Sequence, residues 1–114
     1  MRRPPVEAIE RRDRDVVVRL AGELDLYNAT EVSGALVQAG SDSPSRLVVD
    51  LAEVTFVDST TLGTLVEAQK GIGEGTRFLL AAPNPDVRRA LDVSGLGRHF
   101  DVRETVEDAL AASP

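Results

Sequence analysis

Leu47-Val48-Val49-Asp50-Leu51 is an almost uninterrupted apolar run, and Asp58-Ser59-Thr60-Thr61-Leu62-Gly63 follows it after a short interval. A run that is apolar at both odd and even positions has no face left for water, so it predicts a central strand covered on both sides. Phe56-Val57 is expected to bring the chain back inside. The polar run Asp58 to Thr61 then opens a helix that carries Leu62, Leu65, Val66, Gln69 and Ile72 along one stripe. In that placement Leu62, Leu65 and Val66 face the sheet, while Thr60, Thr61 and Thr64 stay accessible. Gly71, Gly73 and Gly75 end the helix.

Elements of both periods lie to either side. Toward the N-terminus, Val6 to Glu10 alternates as a short edge strand, and Arg11 to Asp15 is a charged turn. Val16 to Ala21 is β-branched and compact, with Val16, Val18 and Leu20 on one face, and Gly22-Glu23-Leu24-Asp25 ends that strand. Asn28 or Thr30 caps a helix with Ala29, Val32, Leu36 and Ala39 inward, and Gly40 to Ser45 is a loop by composition. Toward the C-terminus, Phe78 to Ala82 reads as a buried strand closed by Pro83-Asn84-Pro85. A short helix with Val87, Ala90, Leu91 and Val93, a brief strand around Phe100 to Val102 and a last helix with Val106, Ala109 and Leu110 complete the order.

That order, β-β-α-β-α-β-α-β-α, predicts an α/β fold. Strands separated by helices pair in parallel through right-handed crossovers, and the two opening strands are close enough to pair antiparallel. The expectation is one domain over residues 6–114: a mixed, mostly parallel β-sheet of about five strands with about four helices packed on it. Residues 1–5 are set apart as a disordered lead-in.

Composition removes several function classes. There is no cysteine, so a disulfide framework, a thiolate nucleophile and a thiolate zinc site are excluded together. The single His99 cannot build a multi-histidine metal site, and no cofactor is expected. A net charge of −6 disfavours nucleic acid, and with 4% aromatics and no tryptophan there is little to stack bases on. No apolar run approaches a membrane span, and no apolar stretch follows Arg2-Arg3 as a signal peptide requires. No membrane partner and a cytoplasmic location are the expectation.

The residues with potential chemistry are Asp58, Ser59, Thr60 and Thr61. Capping alone accounts for one or two of them, since Asp, Ser and Thr satisfy the free amides of a first helical turn at ~1 kcal/mol each. The rest suits a modifiable docking point. A phosphate on Ser59 lies near free amides and the positive end of the helix dipole, so the fold tolerates it while a bound partner meets added negative charge. Nucleophilic catalysis by Ser59 needs a nearby base and an oxyanion hole, and no Gly-x-Ser-x-Gly elbow is present. Asp25 with Asp58 lacks the phosphate loop that would make a magnesium site, and Gly71-Ile72-Gly73-Glu74-Gly75 follows a helix where a phosphate loop follows a strand. The expectation is a protein that is not an enzyme.

Three ordered motifs carry a family resemblance. Asp58-Ser59-Thr60-Thr61-Leu62-Gly63 resembles the Asp-Ser-Ser/Thr-Gly-Leu-Gly signature of STAS domains, as found in anti-sigma factor antagonists of bacterial partner-switching systems. Gly22-Glu23-Leu24-Asp25 matches a second hallmark, and Ala82-Pro83 with Ser94-Gly95-Leu96 a third; the likeness runs from about Val6 to Leu110. It implies a STAS-like domain that binds an anti-sigma factor with serine kinase activity when Ser59 is unphosphorylated. Phosphorylation of Ser59 releases the factor, and a serine phosphatase resets the switch. Asp25 and Asp58 match the acidic residues near that serine, and Asp25, Asp58, Ser59, Thr60, Thr61 and Thr64 form the expected partner-binding set. Where the family carries glycine this chain has Thr61, whose bulk bears on kinase recognition more than on the fold. The alternative is a non-phosphorylated STAS scaffold or regulatory interaction module.

Overall fold

The structure is a computed structural model and describes residues 2–113. Its elements follow the expected order: β1 (Val6–Arg12), β2 (Asp15–Leu24), α1 (Ala29–Gly40), β3 (Arg46–Val57), α2 (Ser59–Gly71), β4 (Arg77–Ala81), α3 (Pro85–Val93), β5 (Asp101–Arg103) and α4 (Val106–Leu110). The five strands form one sheet in the order β1-β2-β3-β4-β5. β1 pairs antiparallel with β2, and every later pair is parallel. Each helix therefore carries the chain back to start the adjacent strand, and the loops after β2 and β3 meet at one end of the sheet.

The sheet faces are covered unequally. Val16, Val18, Leu20, Leu47, Val49 and Leu80 point to the larger core, where α1 contributes Val32 and Leu36, α2 Leu62 and Leu65, and α3 Val87 and Leu91. Val17, Val48 and Leu79 point the other way, and there α4 and the residues after it supply buried Ala109 and Ala112 with partly buried Val106 and Leu110. Runs apolar at both parities are explained by this arrangement, because helices lie on both faces.

Several boundaries differ from the sequence reading. β2 does not end at Gly22 but runs to Leu24, and its pairing with β3 shifts register between Arg19 and Ala21 and again between Gly22 and Glu23. Gly22 has φ +75, so it supplies the left-handed backbone conformation that an irregularity of this kind needs. β3 is likewise one strand from Arg46 to Val57, whereas its pairing with β4 covers only Arg46 to Asp50. Phe56 was expected inside and is instead 49% exposed, because Val57 takes the inward position at this end of the strand.

Pro5 is buried and its carbonyl accepts a hydrogen bond from Ala21 N at 2.9 Å. Arg2 and Arg3 also make polar contacts, described below, although residues 1–5 read as a lead-in. Met1 lies outside the described residues.

Candidate functional site

Asp58 organises the end of the sheet where β2 and β3 finish. Its backbone is extended and it caps α2: Oδ1 accepts from Thr61 N at 2.9 Å and from the Thr61 hydroxyl at 3.1 Å. Oδ2 reaches across to the β2–α1 turn and accepts from Leu26 N at 3.0 Å. One carboxylate thus holds the start of α2 and the neighbouring turn together. Burial alone would push the Asp58 carboxyl up, but the hydrogen bonds from Thr61 and Leu26 outweigh it and hold the group below its ordinary value. A depressed carboxyl stabilises the fold above the unfolded-state range, and that contribution is lost as pH falls below about 4. Asp58→Asn is expected to flatten this acid limb when melting temperature is followed against pH, while lowering stability near neutrality.

Ser59 is the first residue of α2 and is exposed, as is Thr60. Thr64 is half-buried, with its hydroxyl donating to Thr60 O at 3.0 Å. Thr61 corrects the reading that placed it on the accessible face. It is 1% exposed and its hydroxyl is spent on Asp58. Its bulk points into the domain, away from any approaching partner. Thr61→Gly removes that hydroxyl bond and adds glycine's poor helix propensity, so a stability loss of about 1–2 kcal/mol in chemical denaturation is expected.

The β2–α1 turn is fixed from several directions. Asp25 N donates to Asn28 Oδ1 at 2.9 Å, Tyr27 N to Asp25 Oδ1 at 3.0 Å, and Asn28 Nδ2 to Glu23 O at 2.9 Å. Arg2 pairs with the Asp25 carboxylate at 3.0 Å and donates to Glu23 O at 2.9 Å, while Arg3 is bonded to Glu7 and Glu53. Asp25 and Asp58 therefore share one end of the sheet but engage different partners. Among the described residues no three His, Asp or Glu side chains converge on a possible metal position. His99 lies just before β5, at the opposite end of the parallel strands from Ser59, and packs edge-on against Phe100 with ring centroids 5.0 Å apart. It cannot serve Ser59 as a base.

Four contributors were not given their roles from sequence. Asn28 was read as a helix cap, yet its buried side chain ties the turn and makes no capping bond to α1. Leu26 and Tyr27 lie 62% and 85% exposed beside Asp58. Asn84 caps α3 and also donates from Nδ2 to Val54 O at 2.8 Å, supporting the far stretch of β3. An Asn in a Gly-Glu-Leu-Asp-x-x-Asn stretch was the available signal for the first; periodicity offers none for exposed apolar residues.

This geometry can be set beside known proteins. The anti-sigma-F factor antagonist RsfB of Mycobacterium tuberculosis is 33% identical over 94 residues, which is 82% of this chain and 77% of that protein. The crystal structure of an anti-sigma factor antagonist from Mycobacterium paratuberculosis matches at a TM-score of 0.84 with 34% identity, covering 90% of this chain and 88% of that one. The phosphorylated form of the Bacillus cell fate determinant SpoIIAA matches at 0.67 with 25% identity, covering 90% and 95%. No helix among the described residues is long and apolar enough to cross a membrane. The STAS domain model matches from residue 8 to residue 109, nearly the whole length, and the chain belongs to the STAS domain family.

Proposed function

We propose that this chain is an anti-sigma factor antagonist in a bacterial partner-switching system, with Ser59 as the phosphoacceptor. The observation that carries the reading is the position of Ser59: exposed, first in α2, and directly after a cap residue that already bears a fixed negative charge. Relatives named as antagonists of anti-sigma factors support the role, and a structural neighbour described in a phosphorylated form supports the modification. Unphosphorylated, the chain binds an anti-sigma factor with serine kinase activity. That kinase transfers the terminal phosphoryl group of ATP to the Ser59 hydroxyl, leaving ADP, and the hydroxyl proton is lost.

The phosphoserine adds about −1.5 to −2 charges next to Asp58. The helix accepts this charge at its amino end, whereas an interface formed against a neutral hydroxyl does not. A serine phosphatase restores the hydroxyl. All of this takes place in the cytoplasm, and the chain itself catalyses nothing. Incubation with the anti-sigma kinase and ATP, followed by peptide mass spectrometry, is expected to recover phosphate on Ser59. Recovery outside Ser59 to Thr61, or no modification by a kinase that binds the chain, returns the reading to a non-phosphorylated scaffold.

A further inference from the structure

Resting on the antagonist reading, we infer that the Leu26–Tyr27 turn is the apolar anchor of the anti-sigma factor interface. Two large apolar side chains stand side by side, 62% and 85% exposed, on a turn one hydrogen bond away from the residue preceding Ser59. Exposure of a single apolar residue is ordinary, but an exposed leucine and tyrosine on a turn pinned to the residue before a modifiable hydroxyl have the character of a binding hot spot.

The turn is held before any partner arrives. Asp25, Leu26, Tyr27 and Asn28 all have their backbone N–H groups bonded: to Asn28 Oδ1, Asp58 Oδ2, Asp25 Oδ1 and Asp25 O respectively. Arg2 clamps it from outside through Asp25 and Glu23 O. Little conformational freedom remains to be lost on docking, so burial of the two side chains is converted to affinity with small ordering cost. Tyr27 also borders a hollow of about 340 Å³ formed with Arg2, Pro4, Asn28 and Glu31, which can receive a side chain of the partner.

Charge selects the same occupant. The anchor is flanked by Glu23, Asp25, Glu31 and Asp58, while the two nearby cations are already paired, Arg2 with Asp25 and Arg3 with Glu7 and Glu53, in a chain of net charge −6. The partner surface this fits is an apolar pocket with a basic rim, and such a rim is also the part of an interface most sensitive to the phosphate state of Ser59. A second copy of this chain would bring like charges together.

Tyr27 is the only tyrosine, which makes the test specific. The anti-sigma kinase is titrated calorimetrically against the wild type, Ser59→Asp, Tyr27→Ala, Tyr27→Phe and Leu26→Ala. Tyr27→Ala is expected to bind tenfold to a hundredfold more weakly and Leu26→Ala about tenfold more weakly, with unchanged melting temperatures because both sites are exposed. Tyr27→Phe should remain close to the wild type. Nitration of the wild type with tetranitromethane, read by peptide mass spectrometry, should be fast in the free chain and suppressed in the complex. If wild type binds and Ser59→Asp does not, yet Tyr27→Ala binds within twofold of wild type and Tyr27 nitrates equally fast in the complex, the anchor is refuted and the antagonist reading stands. A wild-type chain that binds no anti-sigma kinase refutes both.

Discussion

Ser59→Asp is expected to keep the fold and to bind the anti-sigma factor about a hundredfold more weakly than the wild type, a loss of ~3 kcal/mol. The fold survives because the new carboxylate sits in the first turn of α2, where negative charge is favourable to the helix dipole. Affinity falls because the added charge lies beside the Asp58 carboxylate, which its hydrogen bonds already hold ionised. The repulsion is felt by whatever is docked over both residues, in a contact from which water has been expelled. Ser59→Ala should bind like the unmodified protein and resist phosphorylation. Calorimetric titration of the three forms, with circular dichroism to confirm folding, makes the comparison. Equal affinity for all three would remove the switch and leave a passive interaction module.

Leu65→Ala is expected to destabilise the chain by about 2–5 kcal/mol, measured by urea denaturation. Leu65 is 1% exposed and packs in the larger core between α2 and the sheet. Its truncation removes buried apolar surface and leaves a space that strands on one side and α1 on the other are poorly placed to fill. In a domain of this size 1 kcal/mol corresponds to several degrees of melting temperature, so a drop of roughly 10 °C or more should accompany it. Since α2 carries Ser59 on its first turn, the same variant should be phosphorylated less selectively wherever the helix end frays. A variant that melts like the parent would mean that α2 packs through another face.

The strands and helices were readable because each buries a patterned face. Val16, Val18 and Leu20 were placed together from alternation, and the structure puts all three in one core cluster. Asp58 as the start of α2 was readable for the same local reason, an acidic side chain where free amides need an acceptor. Thr61 was misread because the helical stripe was begun at Leu62, the first apolar residue of the helix. Thr61, Leu65 and Ala68 follow one another at helical spacing, so Thr61 shares a face with the core residue four positions on. A polar type hid an inward position whose hydroxyl had a partner available.

Phe56 failed in the opposite sense. It is apolar, yet the two register shifts between β2 and β3 set which side chains face inward at the far end of the pair, and no local pattern reports such shifts. Leu26 and Tyr27 passed unmarked because amphipathic patterning credits apolar residues only with burial. Their exposure depends on a turn held by Asp58 and Arg2, residues distant in sequence. Contacts of that range belong to the folded chain and have no signature in composition.

The unequal lengths of β3 and β4 decide what kind of molecule can compete at this site. β3 last pairs with β4 at Asp50 and continues with β2 alone to Val57, which by ordinary strand rise is roughly 20 Å. The tip bearing Asp25, Leu26, Tyr27, Asp58 and Ser59 therefore lies at the end of a stretch that only β2 and β3 share, with the open hollow between Tyr27, Arg2, Pro4 and Glu31 at its side. A drug-sized compound needs a concavity that covers most of its surface, and a hollow this open to solvent leaves most of such a compound uncovered. Chemical interference with the contact thus has to be sought on the partner's side, in the hollow that receives the tip. A peptide constrained to copy the Glu23–Asn28 turn is the natural starting ligand for that hollow.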